Sequence, residues 1–222
     1  MENYAGIIIA FITGVLGPVM LIYLKHVLSK KKVKPDMVRE TLRVSELVTH
    51  KIEDIKDEFK SDRVWITQFH NGGNFYPTGK SMAKFSIMYE TVNPGISSVQ
   101  SNFHNIPVNL FSKSINQLLS NDVIEIPDYK DETIATFGLK YIAEDTGCKS
   151  GYLFAIKTID DKFIGCLGLD YTKRKTKLDE DSIKHLQVYA TSLGGVLVTC
   201  NLTLFLFCIV AFFKFSIFLI VL

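Results

Sequence analysis

The feature that most constrains this chain is an uncharged run of 20 residues at positions 5–24, followed by a region of mixed composition. A helix of about 20 apolar residues crosses roughly 30 Å of hydrocarbon. Glycine and proline within such a run are tolerated better in membranes than in soluble helices. A cleaved signal peptide is the rival interpretation, but residues 1–4 carry Glu2 and no Lys or Arg, and no small-residue cleavage site follows. We therefore predict a transmembrane anchor within residues 1–24.

A basic linker at residues 25–37 follows this run directly. Its lysines are Lys25, Lys30, Lys31, Lys32 and Lys34. Positive charge beside a span usually stays on the cytoplasmic side, so we expect residue 1 outside and the globular domain in the cytoplasm. The same lysines are candidates for contact with anionic lipid head groups, at about 1 kcal/mol each. A simple stop-transfer flank is the plainer alternative.

A second apolar run, rich in Phe and Leu, covers residues 202–222. Lys214 lies inside it, and a lysine at the centre of a span costs roughly 2.5–3.5 kcal/mol. Each neighbouring Leu, Ile or Phe offsets about 0.3–0.6 kcal/mol of that cost. The balance favours insertion, so we predict a second transmembrane helix within residues 199–222.

Composition and motifs argue against several functions. The net charge of +2 gives no reason to expect a nucleic-acid partner. The basic loop of Lys173, Arg174, Lys175 and Lys177 is expected to be a solvated surface, because aromatic partners for bases are missing. The sequence has no CxxC pair, zinc spacing, nucleophile elbow, P-loop or HExxH motif. We therefore predict that the protein is not an enzyme and that it has no catalytic residue and no metal site.

The middle of the chain alternates helical and extended patterns. Apolar residues spaced three to four apart predict helices at 38–59, 108–119, 133–145 and 178–193. Runs of β-branched and aromatic residues predict strands at 63–69, 84–89, 123–126, 151–159 and 162–171. Asp160-Asp161 is the predicted turn of a hairpin. The turn formers of residues 70–73 (HNGG) are expected to end the first strand.

This order of elements resembles that of a GAF domain, a relative of the PAS fold. Residues 123–128 (VIEIPD) resemble the GAF strand that carries a Pro-Asp pair, and residues 151–170 resemble the closing GAF hairpin. Residues 178–193 are similar to the final GAF helix, which begins with acidic residues. The resemblance covers residues 38–198. It implies an α/β (α+β) fold, with an antiparallel sheet flanked by helices and the first and last helices together on one face.

The segments RVWITQFHNGG and GKSMAKFSIMYE resemble a GAF-like variant of phage-encoded proteins that carry an N-terminal membrane segment. Some GAF proteins use a cysteine for bilin attachment or for methionine sulfoxide reduction, and Cys148 stands before a predicted strand. Neither family's surrounding motif is present here. Cys148 and Cys166 are therefore expected to be buried thiols of a reduced, cytoplasmic domain.

The GAF resemblance also implies a ligand pocket between sheet and helical layer, near the end of the first strand. His70 and Asn71 offer directional hydrogen bonds there, while Gly72 and Gly73 allow close backbone approach. Further candidates for the pocket are Tyr76, Lys84, Tyr89 and Glu90. A tight turn with a satisfied histidine is the simpler interpretation of residues 70–73. The sequence identifies no ligand and no cofactor.

Three hypotheses follow. The first is a membrane-tethered, GAF-like sensory or ligand-binding module without catalytic activity, which forms a homodimer through its terminal helices. The second is a phage lysis protein of the holin type, although the lysines after residue 24 argue against its periplasmic orientation. The third is a scaffolding protein that uses the domain only to dimerise. The domain at residues 38–198 carries the function in the first of these.

Overall fold

The computed structural model of the chain describes residues 14, 17–30, 37–75, 77–131 and 137–198. The chain divides into two compact units, Met1–Leu42 and Arg43–Leu222. The domain limits at residues 38 and 198 stay predictions.

Helix α1, Gly17–Lys30, belongs to the first unit. Of the helices that the structure describes, none has the length and apolar character needed to cross a bilayer. Residues 199–222, and all of 5–24 other than 14 and 17–24, lie outside the described part of the chain. Both transmembrane spans therefore stay predictions.

The basic linker differs from its prediction in one respect. Lys25 and Lys30 are part of α1, so the chain is helical rather than a linker up to Lys30. The physical reason is that residues 25–30 contain no proline or glycine that would interrupt the helix. Lys31, Lys32 and Lys34 lie outside the described residues.

The remaining elements form an α+β arrangement. The helices are α2 (Met37–Glu58), α3 (Ser112–Asn121), α4 (Phe137–Thr146) and α5 (Glu180–Val198). The strands are β1 (Arg63–Asn74), β2 (Ser81–Val92), β3 (Ile106–Pro107), β4 (Val123–Ile126), β5 (Ser150–Lys157) and β6 (Phe163–Tyr171). Two 3₁₀ helices cover Gln100–Asn102 and Val108–Phe111.

The six strands form one antiparallel sheet in the order β3-β2-β1-β6-β5-β4. The centre of the sheet is the pair β1–β6, in which Arg63 lies opposite Asp170. The predicted antiparallel sheet with flanking helices is confirmed. The β5–β6 hairpin turns at Asp160-Asp161 as predicted, and Asp161 adopts the left-handed conformation with φ of 58°.

One face of the sheet packs against α2 and α5. Because strand side chains alternate between faces, every second residue of β1, β5 and β6 points to these helices. The core on this face includes Ile52 and Ile55 from α2, Val64 and Ile66 from β1, Phe154 and Ile156 from β5, Leu167 and Leu169 from β6, and Leu186 and Leu193 from α5. Each large side chain buried there stabilises the fold by about 1.5–3 kcal/mol. The first and last helices of the domain thus share one face, as the GAF resemblance implies.

The opposite face packs against α3 and α4 and forms a second core. Its members include Leu118 from α3, Leu139 and Ala143 from α4, Ile124 and Ile126 from β4, Leu153 from β5 and Cys166 from β6. The candidate site lies on this face.

The first strand is longer than predicted, and residues 70–73 do not end it. β1 continues through these residues to Asn74 and pairs with β2. In this pairing, His70 of β1 lies opposite Lys84 of β2. β6 accompanies β1 only as far as Gln68, so the outer part of the β1–β2 hairpin is a two-stranded ribbon. The turn-forming residues 70–73 fit into this ribbon because its outer end is exposed and because the pairing has a register shift between Asn71 and Asn74.

Two further corrections concern the helical side. The helix predicted to begin at residue 108 starts as a 3₁₀ turn and becomes α-helical only at Ser112, directly after the short unpredicted strand β3. Pro107 fixes the chain in an extended conformation just before that turn. Of the helix predicted at 133–145, residues 137–145 are helical and residues 133–136 lie outside the described part.

Candidate ligand cavity

An apolar cavity of about 60 Å³ lies between the sheet and α3. The side chains that enclose it include Trp65, Thr67, Phe85, Ile115, Leu118 and Leu153. A cavity needs only about 10–15 Å³ to hold a water molecule, but apolar cavities stay dry because water finds no hydrogen-bond partners in them. The space therefore suits a small apolar guest better than it suits water.

Alternation along β1 and β2 builds the floor of the cavity. Phe69 and Phe85 lie opposite each other in the register of the two strands, with ring centroids 6.4 Å apart. Phe111 stands edge-on to Phe85 at 5.3 Å, and Phe163 stands edge-on to Phe69 at 4.9 Å. Edge-to-face contacts of this kind fix ring orientation and contribute about 0.5–1.5 kcal/mol each.

A glycine in β6 admits the Trp65 indole. Gly168 lies opposite Trp65 in the sheet, and a Cβ at Gly168 would stand 2.2 Å from the indole ring. Any other residue at position 168 would therefore displace the ring. The indole Nε1 donates a hydrogen bond to Asp170 Oδ2 at 3.0 Å, so a polar contact also holds the ring in place.

The loop that closes one side of the cavity is held by Glu90. Its carboxylate accepts hydrogen bonds from the backbone N–H of Val99 at 2.8 Å and of Gln100 at 3.0 Å, and from the Ser98 hydroxyl. Val99 is buried, and both Val99 and Phe103 line the cavity. Glu90 thus positions the cavity wall without lining the cavity.

A buried ion pair lies beside the cavity at the start of β1. The Arg63 side chain is fully buried, and its Nε and Nη2 donate to Asp170 Oδ2 at 2.8 and 2.6 Å. Arg63 Nη1 donates to the Ser97 carbonyl at 3.0 Å, and Nη2 donates to Thr146 Oγ1 at 3.2 Å. Arg63 therefore links the 97–103 loop and the end of α4 to the central strands.

Tyr129 and Cys148 complete the buried polar group around Asp170. Burial, followed by the negative charge of Asp170, raises the pKa of the Tyr129 hydroxyl well above its usual value. The same two causes, in the same order, raise the pKa of the Cys148 thiol. Both side chains are therefore uncharged at neutral pH and act as packing and hydrogen-bonding groups.

No family model and no curated protein matches the chain. Solved structures match it in fold. A far-red cyanobacteriochrome photoreceptor is 16% identical, with a TM-score of 0.57, over 82% of this chain and 99% of that one. The blue-light absorbing form of the PixJ GAF domain from Thermosynechococcus elongatus is 14% identical, with a TM-score of 0.59, over 78% and 93% of the two chains. The phycocyanobilin-bound GAF domain of a cyanobacterial phytochrome is 17% identical, with a TM-score of 0.56, over 75% and 91%. The chain has the GAF fold.

Within this GAF fold, the residues predicted to bind a ligand are spread over three places. Alternation puts His70 and Lys84 on the sheet face opposite Phe69, where His70 Nε2 and Ser86 Oγ are 2.9 Å apart. The Lys84 side chain lies against Gly72, while Asn71 and Gly73 are exposed. Tyr89 packs against the core formed by α2 and α5, and Glu90 holds the cavity loop. Tyr76 lies outside the described residues.

None of the seven described candidates lines the GAF cavity, so a binding role for them stays a prediction. The residues that do line it are almost entirely apolar, and the sequence analysis did not name them as site residues. The signal in the sequence was the alternation of Trp65, Thr67 and Phe69, which places all three side chains on one face of the strand. In the part of the chain that the structure describes, no group of three or more His, Cys, Asp or Glu side chains is placed to hold a metal ion.

We expect both thiols of the described domain to resist alkylation while the GAF fold is intact. Burial raises the pKa of the Cys166 thiol to about 12, so at pH 8 only about one molecule in 10⁴ carries the reactive thiolate. Iodoacetamide labelling of a Cys200→Ser/Cys208→Ser variant, followed by mass spectrometry, measures this. Labelling of Cys148 and Cys166 should appear only in urea, and rapid labelling in native buffer would contradict the burial of both side chains.

Proposed function

We propose that this chain is a sensory, ligand-binding GAF module whose cavity accepts a small apolar molecule. The observation that carries the proposal is the apolar cavity between the sheet and α3. The polar groups at the cavity have protein partners: the Thr67 hydroxyl in its lining accepts a hydrogen bond from the Cys166 N–H at 3.0 Å, and Glu90 and Asp170 behind the lining are also hydrogen-bonded. A ligand is therefore selected by shape and apolar contact.

Size limits the class of ligand. Pockets for drug-sized molecules measure about 300–1,000 Å³, and an apolar cavity of about 150 Å³ accepts benzene or xenon. The cavity here, at about 60 Å³, matches a guest of a few heavy atoms. A benzene-sized guest requires α3 to move away from the sheet.

A bilin is a poorer fit than a small apolar guest. Bilins are large molecules with carboxylate groups, whereas no lysine, arginine or histidine is among the described residues that line this cavity. Arg63, which lies beside it, is already paired with Asp170. The low reactivity expected of Cys148 and Cys166 also disfavours covalent attachment of a chromophore. The proposed module therefore has a sensory role, as the similar photoreceptor domains have, but binds a different ligand.

The output of the module is proposed to run through α2 and α5. These helices pack on the face of the sheet opposite the cavity, and each strand of the central pair has side chains on both faces. A guest that moves Trp65 or Thr67 also shifts Val64 and Ile66, which contact the helices. The predicted apolar runs at 5–24 and 202–222 would tether these helices to a membrane with the domain in the cytoplasm, and the helices are also the proposed dimer surface.

Trp65 makes the proposal measurable, because it is the one tryptophan of the chain and lines the cavity. We expect xenon, a heavy-atom quencher, to lower Trp65 emission in a saturable manner. Ile115→Phe fills the cavity from α3 and should abolish saturation. Leu119→Phe is the matched control, because Leu119 lies on the same helix with its side chain half exposed and outside the cavity lining.

Two outcomes would refute the proposal. Quenching that rises without saturation in the wild-type chain, or equally in both variants, would show that xenon does not enter the cavity. Hydrogen exchange of α2 and α5, measured with and without benzene, tests the sensory half. Exchange in these helices that is unchanged at saturating benzene would remove the proposed output.

A further inference from the structure

A second recess, distinct from the apolar cavity, lies where α2 ends, β1 begins and the loop after β6 starts. We call it the basic cleft. It measures about 570 Å³, which falls within the range of about 300–1,000 Å³ typical of small-molecule sites. The residues that matter here are Lys56, Lys60, Ser61, Asp62, Lys173 and Arg174. No described residue lines both the basic cleft and the apolar cavity.

The charge of the basic cleft is positive. Four cationic side chains and two carboxylates line it, a net charge of +2. Lys56 Nζ lies 3.7 Å from the carboxylate of Asp57, whereas Lys60 and Arg174 form no salt bridge among the residues that the structure describes. Both of these unpaired cations are exposed and therefore available to an anion.

The carboxylate of Asp62 pairs with Lys173, whose Nζ lies 3.6 Å from Asp62 Oδ1, and leaves Lys60 and Arg174 unpaired among the described residues. Asp62 Oδ2 accepts hydrogen bonds from the backbone N–H groups of Thr172 and Lys173 at 2.8 and 3.0 Å, and from the Thr172 hydroxyl at 3.2 Å. Burial acts to raise the pKa of Asp62, but these hydrogen bonds outweigh it and hold the pKa below its usual value. Asp62 thereby fixes the loop that presents Lys173 and Arg174.

A buried hydroxyl in the wall of the cleft is left without a partner. Ser61 is 1% exposed, and its Oγ makes no hydrogen bond to the described residues. Its backbone groups are bonded, since Ser61 N–H donates to the Lys56 carbonyl at 3.1 Å and Asn93 Nδ2 donates to the Ser61 carbonyl at 3.1 Å. A buried polar group without a partner is unfavourable, and an acceptor oxygen in the cleft would satisfy it.

We propose that the basic cleft binds a phosphate group, held by Lys60 and Arg174 with the Ser61 hydroxyl as a further donor. Phosphate oxygens accept charge-assisted hydrogen bonds from lysine and arginine and also accept from hydroxyl groups. The group belongs either to a soluble phosphorylated molecule or to a lipid head group. This site is independent of the apolar cavity and adds a second input to the module.

The test uses the full-length chain in a non-ionic detergent, with pyrophosphate as the soluble probe and calorimetry as the readout. Lys60→Glu combined with Arg174→Glu should weaken binding by about a hundredfold, because each of the two charged hydrogen bonds that it removes is worth about a factor of ten. The matched control is Lys177→Glu combined with Lys113→Glu. Lys173 stays unchanged in this control, because it lines the cleft. Both control lysines are exposed and lie outside the cleft lining, and the charge change is the same.

Ser61→Ala separates a ligand contact from a mere packing defect. If the hydroxyl donates to phosphate, Ser61→Ala weakens pyrophosphate binding by about fivefold or more while thermal stability is kept or raised. If the variant changes stability alone, the assigned role of Ser61 is wrong.

A water-soluble, short-chain phosphatidic acid identifies the source of the phosphate in the same detergent. Saturable pyrophosphate binding that the double variant loses and the control keeps supports a soluble ligand. Tighter binding of the short-chain phosphatidic acid than of pyrophosphate, with no binding of the matching phosphatidylcholine and again lost only in the double variant, supports a lipid head group. Equal losses in the double variant and the control, or no binding of either probe, would overturn the proposal, because net charge alone would then explain any attraction.

Discussion

Arg63→Ala is expected to lower the free energy of unfolding by about 3–5 kcal/mol, the largest effect of any single change considered for this chain. The substitution leaves the Asp170 carboxylate buried at 3% exposure without its cation. It also frees the Ser97 carbonyl and the Thr146 hydroxyl, which Arg63 now links to β1. Urea unfolding followed by Trp65 emission measures the loss.

Replacing both partners, Arg63→Met with Asp170→Leu, should restore part of the lost stability, because the Asp170 carboxylate is then no longer buried without its cation. The Glu90 carboxylate, 4.0 Å from Arg63 Nε, stays buried in this variant but keeps its hydrogen bonds from the backbone N–H groups of Val99 and Gln100. A midpoint for Arg63→Ala equal to that of the wild-type chain would contradict the assignment. A double variant less stable than either single one would show that the hydrogen bonds to Ser97, Thr146 and Trp65 matter more than the pair itself.

Gly194→Ala and Gly195→Ala should have effects of opposite sign, although the two residues are neighbours in α5. A Cβ at Gly194 would stand 2.0 Å from the backbone carbonyl oxygen of Lys157, so the methyl group forces α5 away from β5. Such overpacking costs about 1–3 kcal/mol. A Cβ at Gly195 meets nothing within 4 Å, and alanine is favoured over glycine in a helix by about 0.5–1 kcal/mol.

Thermal unfolding of the two variants provides the measurement, with each serving as the other's control for helix propensity. We expect a lower midpoint for Gly194→Ala and a higher one for Gly195→Ala. Equal and raised midpoints would show that α5 does not approach β5 as closely as the structure has it. Because α5 is the proposed output helix, Gly194→Ala should also weaken the response of its hydrogen exchange to benzene.

Much of the fold could be predicted from local patterns. β4 matches its predicted range, and β5, β6, α2 and the final helix begin or end within a few residues of prediction, because periodicity and turn residues act locally. The outer half of β1 was missed because HNGG is typical of turns, whereas pairing with β2 keeps the chain extended. The two-residue strand β3 has too few residues for any periodicity.

The candidate site was harder to predict, for a physical reason. Polar residues near a strand end were taken as ligand contacts, but a cavity that excludes water is lined by apolar side chains. Its lining comes from strands β1, β2, β5 and β6 and from the helices α3 and α4, so only the tertiary arrangement brings these side chains together. The same holds for Arg63 and Asp170, which are 107 residues apart in the chain.

The central position of the β1–β6 pair has a consequence for the way this chain is made. During synthesis β1 and β2 emerge early, but the strand that lies beside β1 ends only at Tyr171. A two-stranded hairpin is only marginally stable in water. The apolar side chains and the free strand edge of β1 and β2 therefore stay exposed until the second half of the sheet has been synthesised. Loop closure over about a hundred residues slows such pairing. We therefore expect nascent chains arrested before β6 to be protease-sensitive and to bind chaperones, with protection gained in one step once α5 has left the ribosome.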